Sequence, residues 1–266
     1  MVDGAVVWSR DAAADAGTET PIWGYSGSPL VQDGFVYVPL AGKLLRYDLE
    51  GQNPKLLNDA TGDGYVSPQA MVIDGVPQIL MVDRGGVTAV AASDGAALWR
   101  HEWAGYPIVQ PAATEDGDVL VCVNESDGIR RLSPRRSTQG WTVTERWTTK
   151  GLKPYFNDFV QHKGHAFGFD GRILSCINLE TGERTWKGGR YGQGQMLLLP
   201  DQDLLLVLSE RGEVALVRAD VAAFTELGRF QAIDGKTWNH PVLVHDLLLV
   251  RNDREAAAYR LPLAAD

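Results

Sequence analysis

The chain has 266 residues, with 34 acidic against 25 basic side chains, 29 glycines and two cysteines. A formal net charge of −9 argues against a nucleic-acid backbone or an anionic membrane surface as the main partner. With 44% hydrophobic and 22% charged residues the chain is not disordered, and no apolar run nears the roughly 18 residues needed to span a bilayer.

In chain order, Val6-Val7-Trp8 reads as a strand with nothing before it, and residues 1–8 contain no basic or long apolar stretch of a signal peptide. Residues 11–16 allow one helical turn, stopped at Gly17. From residue 29 onward the pattern is short apolar runs punctuated by Gly and Asp. A cassette recurs: an apolar strand, a polar residue, a Gly-containing turn, then a strand ending in an aromatic. Its clearest copies are residues 91–99 and 177–186. Weaker copies run from Leu45 to Leu57, from Leu132 to Trp147 with a turn expanded by residues 134–140, and from Leu216 to Phe230. Two further short strands precede each cassette, as at 29–38 and 241–250. Each unit therefore holds four strands joined by tight turns, which is an antiparallel meander.

Trp8, Leu56, Trp99, Trp147, Trp186 and Phe230, taken as outer-strand anchors, recur every 39 to 48 residues. That period is the roughly 40–50 residues of a four-stranded propeller blade. The expected fold is all-β, a single β-propeller domain over residues 1–266 with six four-stranded antiparallel blades. The last unit, 241–261, holds three strands, and Val6-Val7-Trp8 is expected to supply its fourth and so remove both open edges. The anchors Trp99, Trp147 and Trp186 are expected to pack between blades. Cys122 and Cys176 lie in separate strands without CxxC spacing and read as small buried apolar side chains.

Propellers bind at the mouth of the central channel, where loops lead into inner strands. One aromatic and one hydroxyl, amide or imidazole recur there in six segments. The candidates are Trp23, Tyr25 and Ser26; Tyr65 and Gln69; Tyr106 and Gln110; Asn157 and Asp158; Arg190, Gln193 and Gln195; and Trp238, Asn239 and His240. Flat apolar faces alternating with donors and acceptors suit a small polar ligand with a flat face, such as a sugar or a quinone, or a peptide segment. The competing reading is that these aromatics cap the channel and pack on one another.

Other patterns carry less. A two-residue turn at Lys163-Gly164 would set His162 opposite His165, but two imidazoles fall short of a zinc site. Residues 59–64 resemble a calcium loop, with Ala70 where a bidentate Glu is needed. Arg130, Arg131, Arg135 and Arg136 are the only basic concentration and read as a solvated loop. There is no Gly-x-Ser-x-Gly elbow and no Walker loop.

The cassette resembles the repeat of the pyrroloquinoline-quinone (PQQ) β-propeller family, most closely bacterial PQQ-like propellers of unassigned function. The matching residues are Asn178, Leu179, Thr181, Gly182 and Trp186, then Ser93, Asp94, Gly95 and Trp99. The family includes quinoprotein alcohol dehydrogenases and a lipoprotein of outer-membrane β-barrel assembly. Its members are usually exported, to the periplasm or beyond, and usually have seven or eight blades. The chain is then either a closed six-bladed ring or part of a larger one. Quinoproteins of the family use a vicinal Cys pair and a calcium beside PQQ, and no two cysteines are adjacent here. The resemblance implies a monomeric, non-catalytic scaffold that holds a partner protein or small polar ligand at the channel mouth, with no cofactor. The alternative is an enzyme at the same mouth, either a quinoprotein-like oxidoreductase using PQQ with calcium or a carbohydrate-active enzyme using Asp158 and His240.

Overall fold

In the computed structural model, residues 4–58, 60 and 62–262 are described. Apart from a short helix α1 (Ala12–Ala16) and one 3-10 turn at Pro200–Gln202, the regular structure is β. The strands form six antiparallel sheets, five of four strands and one of three, each following chain order. This is a β-propeller with six blades. Two compact units divide the chain, residues 1–124 with 130–148, and residues 125–129 with 149–266. No helix among the described residues is long and apolar enough to cross a membrane.

The first unit holds three sheets. They are β1 (Leu30–Gln32), β2 (Phe35–Leu40), β3 (Lys43–Asp48) and β4 (Lys55–Leu56); β5 (Gln69–Ile73), β6 (Val76–Asp83), β7 (Gly86–Ala91) and β8 (Ala97–Glu102); and β9 (Ala112–Ala113), β10 (Val119–Val121), β11 (Ile129–Ser137) and β12 (Gly140–Thr149). The β1–β2 hairpin shows the local logic. Asp33 and Gly34 both take positive φ, 51° and 84°, the primed turn whose twist matches the flanking strands.

The second unit holds β13 (Val160–His162), β14 (His165–Asp170), β15 (Ile173–Asn178) and β16 (Arg184–Arg190); β17 (Gln195–Leu199), β18 (Leu204–Leu208), β19 (Glu213–Arg218) and β20 (Glu226–Gln231); and the three strands β21 (Val242–Val244), β22 (Leu247–Arg251) and β23 (Ala256–Arg260).

The cassette's polar residue fixes its turn. Asn178 Oδ1 accepts the backbone N–H groups of Glu180 and Thr181 at 2.7 and 3.1 Å, and Gly182 N–H closes back on the Asn178 carbonyl at 2.8 Å. Asp94 does the same for Ala96 at 2.8 Å. The strand that follows then carries Trp into the core. Trp99 packs with side chains of β5–β7 and of β10 and β11, and Trp186 with β14, β15 and β17–β19, so each ring fills the space between two sheets of its own unit.

Several expectations need correction. Trp147 and Trp141, on the same strand, are both half-buried, and Trp141 packs against the core cluster of the neighbouring sheets. Leu56 is exposed, while Leu57, just past the end of β4, is the one that packs into the core. The segment 134–140 is mostly strand, extending a long β11–β12 hairpin. Of the arginine run, Arg136 is exposed, but Arg131 is buried and Arg135 half-buried. Asp118, with no exposed surface, takes Arg131 Nε at 2.7 Å, Arg135 Nη2 at 2.8 Å and Arg146 Nε at 3.0 Å. Residues 4–8 form no strand, and the last sheet has three strands among the described residues. Trp8 instead lies 6.1 Å from the Tyr47 ring, against Gly51, and its indole N–H donates to the Leu49 carbonyl at 2.9 Å. These contacts hold it on β3 and the turn that follows.

Candidate functional site

The candidate segments enter the first strand of each sheet. Four of them end in a polar residue followed by proline: Ser28-Pro29, Ser67-Pro68, Gln110-Pro111 and His240-Pro241. Proline pushes the residue before it into an extended backbone, which frees that residue's N–H and side chain from the ladder.

In the first unit this produces a relay. Ser28 N–H donates to Ser67 Oγ at 2.8 Å, and Ser67 N–H donates to Gln110 Oε1 at 3.0 Å. Gln69 Nε2 also donates to Gln110 Oε1, at 3.3 Å, and Tyr65 N–H to the Pro107 carbonyl at 3.3 Å. Three segments, 23–28, 64–69 and 105–110, are thereby tied together. Tyr65 is buried beneath Trp23, ring centroids 4.9 Å apart, while Trp23 itself is 61% exposed. Tyr25 is exposed and its hydroxyl meets Thr18 Oγ1 at 3.1 Å; Ser26 is exposed. Tyr106 is 58% exposed with the Arg84 guanidinium 4.1 Å above its ring.

The second unit repeats the device with other residues. Asn157, fully buried, donates from Nδ2 to the Gly194 carbonyl at 2.7 Å and accepts Tyr155 N–H at 3.1 Å. Gln195 Nε2 donates to the Trp238 carbonyl at 3.2 Å. Above this frame the Phe156 ring lies 5.3 Å from Tyr155 and 5.1 Å from Trp238. Trp238 is 46% exposed, its indole N–H donates to Glu210 Oε1 at 3.0 Å, and Lys236 Nζ sits 3.8 Å above its ring. Burial pushes the Glu210 carboxyl up, but the Trp238 and Gln193 donors outweigh it and hold the group below its ordinary value. Asp158 Oδ2 and His240 Nε2 meet at 3.3 Å, and Asn239, half-buried, donates its N–H to Thr237 Oγ1 at 3.4 Å. Gln193 and Gln195 each keep one buried side-chain oxygen with no donor within reach among the described residues.

Arg190 stands apart from this aromatic group. It ends β16, exposed, and lines a cavity with Arg172, Glu210 and Arg211. The candidate residues thus divide by role. The amides Gln69, Gln110, Asn157 and Gln195 build the frame, and Trp23, Tyr106 and Trp238 present faces to solvent. Sequence reasoning missed Glu210, Lys236 and Phe156. Glu210 belongs to the β18–β19 turn, and nothing in its local pattern points to Trp238.

The remaining motifs are used structurally. Lys163-Gly164 does set His162 opposite His165, but His162 Nε2 binds Asp203 at 2.6 Å and His165 Nδ1 faces the Lys163 carbonyl at 2.9 Å. Of the calcium-like loop, Asp59 and Thr61 lie outside the described residues. Both thiols are buried on separate elements, and among the described residues no three His, Cys, Asp or Glu side chains gather for a metal.

Comparison with known proteins bears on this geometry. The family model described as outer membrane protein assembly factor BamB matches residues 2–222. A functionally unknown protein from Desulfotomaculum acetoxidans DSM 771 is similar in structure, with a TM-score of 0.59 at 14% identity, covering 88% of this chain and 82% of that one. BamB from Moraxella catarrhalis is similar with a TM-score of 0.50 at 12% identity, covering 88% and 84%. No curated protein matches the chain.

Proposed function

Because the chain belongs to the family of the outer membrane protein assembly factor BamB, a PQQ-like propeller family, we propose that it is a non-catalytic scaffold that holds a partner polypeptide. The observation that carries this reading is that each unit, taken by itself, presents exposed aromatic faces on a hydrogen-bonded frame, Trp23 and Tyr106 in the first and Trp238 in the second. Exposed aromatics on a fixed backbone offer large contact area at low entropic cost, which is how interface anchors work. An assembly factor acts on proteins, so a polypeptide is the occupant that fits the family description. The same description supports a periplasmic site of action. We place no cofactor in this function and take the protein as a monomer.

A small polar ligand is the second reading. The unpartnered buried oxygens of Gln193 and Gln195 beside Trp238 favour it, since a hydroxyl or amine could supply the missing donor.

A peptide array and a glycan array, each probed with wild type, Trp23→Ala and Trp238→Ala, separate the two. Peptide binding that drops in either variant supports the scaffold. Glycan binding that depends on Trp238, without peptide binding, transfers the site to a small ligand. Turnover of a sugar or alcohol substrate abolished by Asp158→Asn would overturn the non-catalytic reading.

A further inference from the structure

Three arginines of the second unit line one cavity that offers them, beyond the Glu213 paired with Arg229, the single carboxylate of Glu210. The cavity, about 310 Å³, is lined by Arg172, Arg190, Arg211 and Arg229 together with Tyr191, Ser209, Glu210 and Glu213. Arg229 is spent, with Nη2 on Glu226 at 2.6 Å and Nη1 on Glu213 at 3.3 Å. Glu210 accepts from two uncharged donors, the Trp238 indole and the Gln193 N–H, and its retained charge acts on Arg172, so three guanidinium charges face one carboxylate. Among the described residues, Arg172, Arg190 and Arg211 form no ion pair, in a protein whose net charge is −9.

Their placement is rigid. Tyr191, almost fully buried, donates its N–H to the Arg172 carbonyl at 3.1 Å and accepts Glu210 N–H on its own carbonyl at 2.8 Å. One residue therefore ties together the β14–β15 turn carrying Arg172, the end of β16 carrying Arg190 and the β18–β19 turn carrying Arg211. Ser209 Oγ fixes that last turn by accepting the N–H groups of Arg211 and Glu213 at 3.3 and 3.1 Å. The Tyr191 hydroxyl is anchored on Glu226 at 2.6 Å.

Guanidinium groups that outnumber the carboxylates of one cavity repel one another, and an oxyanion entering there relieves the repulsion and gains charge-assisted hydrogen bonds. We propose that this cavity is a binding site for carboxylate side chains of an acidic segment of the partner polypeptide. Its volume admits one or two such side chains. The proposal rests on the scaffold reading and names the chemistry of the partner. The overall negative charge does not prevent it, because at about 0.1 M salt fields are screened beyond roughly 10 Å, and the local balance decides.

The test is fluorescence anisotropy with a labelled glutamate-rich peptide, its glutamine counterpart, and citrate and inorganic phosphate as competitors. The proteins are wild type, Arg190→Gln, Arg211→Gln and Trp238→Ala, with unchanged melts required of the exposed arginine variants. The expected result is saturable binding of the acidic peptide only, displaced by citrate and weakened about tenfold for each guanidinium lost. Equal binding of both peptides, or no effect of the arginine variants, overturns the site while leaving the scaffold reading to its own arrays. Binding of phosphate without the acidic peptide overturns the polypeptide occupant. Failure of the uncharged peptide array together with arginine-dependent capture of the acidic peptide would reject the aromatic surface and keep the cavity.

Discussion

The Trp99 indole N–H donates to the side-chain oxygen of Gln78 at 2.8 Å, in a core where Gln78 has no exposed surface. The outer strand of one sheet thus supplies the donor for a polar group buried on its second strand. Trp99→Phe keeps an aromatic ring but orphans that oxygen, and the expected loss is about 1–3 kcal/mol. Trp99→Ala removes the ring as well and should cost about 3–5 kcal/mol. Urea unfolding of both variants checks the order, and equal stability of wild type and Trp99→Phe would deny the hydrogen bond a role.

Asp118 makes a sharper case. Its carboxylate is fully buried beneath Arg131, Arg135 and Arg146, and Arg131 is itself nearly buried. Asp118→Asn removes the buried charge facing Arg131 and keeps the more exposed Asp116, and a loss of about 3 kcal/mol is expected for a buried cation stripped of its main partner. The double variant Asp118→Leu with Arg131→Met should be less destabilised than Asp118→Asn, since apolar side chains of similar volume need no desolvation. Additive losses in the two singles would argue that the residues act separately.

These residues show what the sequence could and could not reveal. The cassette around Asn178 and Trp186 was legible because local chemistry dictates it: an amide that caps its own turn and an indole at fixed spacing. Arg131 was not, since its partner Asp118 is thirteen positions away on a pairing strand and the run Arg130, Arg131, Arg135, Arg136 looks solvated without it. Trp141 and Trp147 lie on the same face of β12 and are both half-buried, and the outer-strand spacing singled out only the second. Repeat arithmetic places Trp8 on the last sheet, whereas Gly51, with no side chain in the way, and the Leu49 carbonyl seat it on its own stretch of chain. At the candidate site the recurring aromatics were legible. Which amides would be consumed by neighbouring segments was not, because Ser67 with Gln110, or Asn157 with Gly194, meet only in three dimensions.

Acid should loosen the second unit through Asp170. Burial pushes its carboxyl up, but Lys187 and Lys153, with Arg184 adding its charge, outweigh that and hold it below the ordinary value. A pKa depressed on folding gives stability that is present above the unfolded value, about 3.9, and is lost as pH falls through the folded one. Melting temperature should therefore decline below about pH 4, and Asp170→Asn should flatten part of that decline while lowering stability at pH 7. An unchanged acid limb in the variant would assign the decline to other carboxylates.

The thiols should be silent in the folded protein. Cys122 and Cys176 are both buried, and desolvation pushes the Cys176 thiol up to about 11. At pH 8 that leaves on the order of 0.1% thiolate, the only reactive form. Alkylation followed by mass spectrometry should show neither site modified without denaturant and both modified in it. Rapid labelling of Cys176 under native conditions would mean that the sheet opens locally.

Gly212 links stability to the proposed anion cavity. It sits at φ 82° in the β18–β19 turn, and a Cβ there would come within 1.9 Å of the Ile233 carbonyl oxygen. That carbonyl also accepts from Gln231 Nε2 at 2.7 Å, while Gly212 itself accepts N–H groups from Ala232 and Ile233. Gly212→Ala must therefore shift backbone against backbone at a left-handed position, and a loss above the roughly 1 kcal/mol of a simple φ penalty is expected. Because the same turn presents Arg211, the variant should also weaken the acidic peptide more than its stability loss alone would at a temperature where it is fully folded. Peptide affinity equal to wild type in the folded variant would show that Arg211 reaches the ligand without a fixed turn, or does not reach it at all, and Arg211→Gln distinguishes the two.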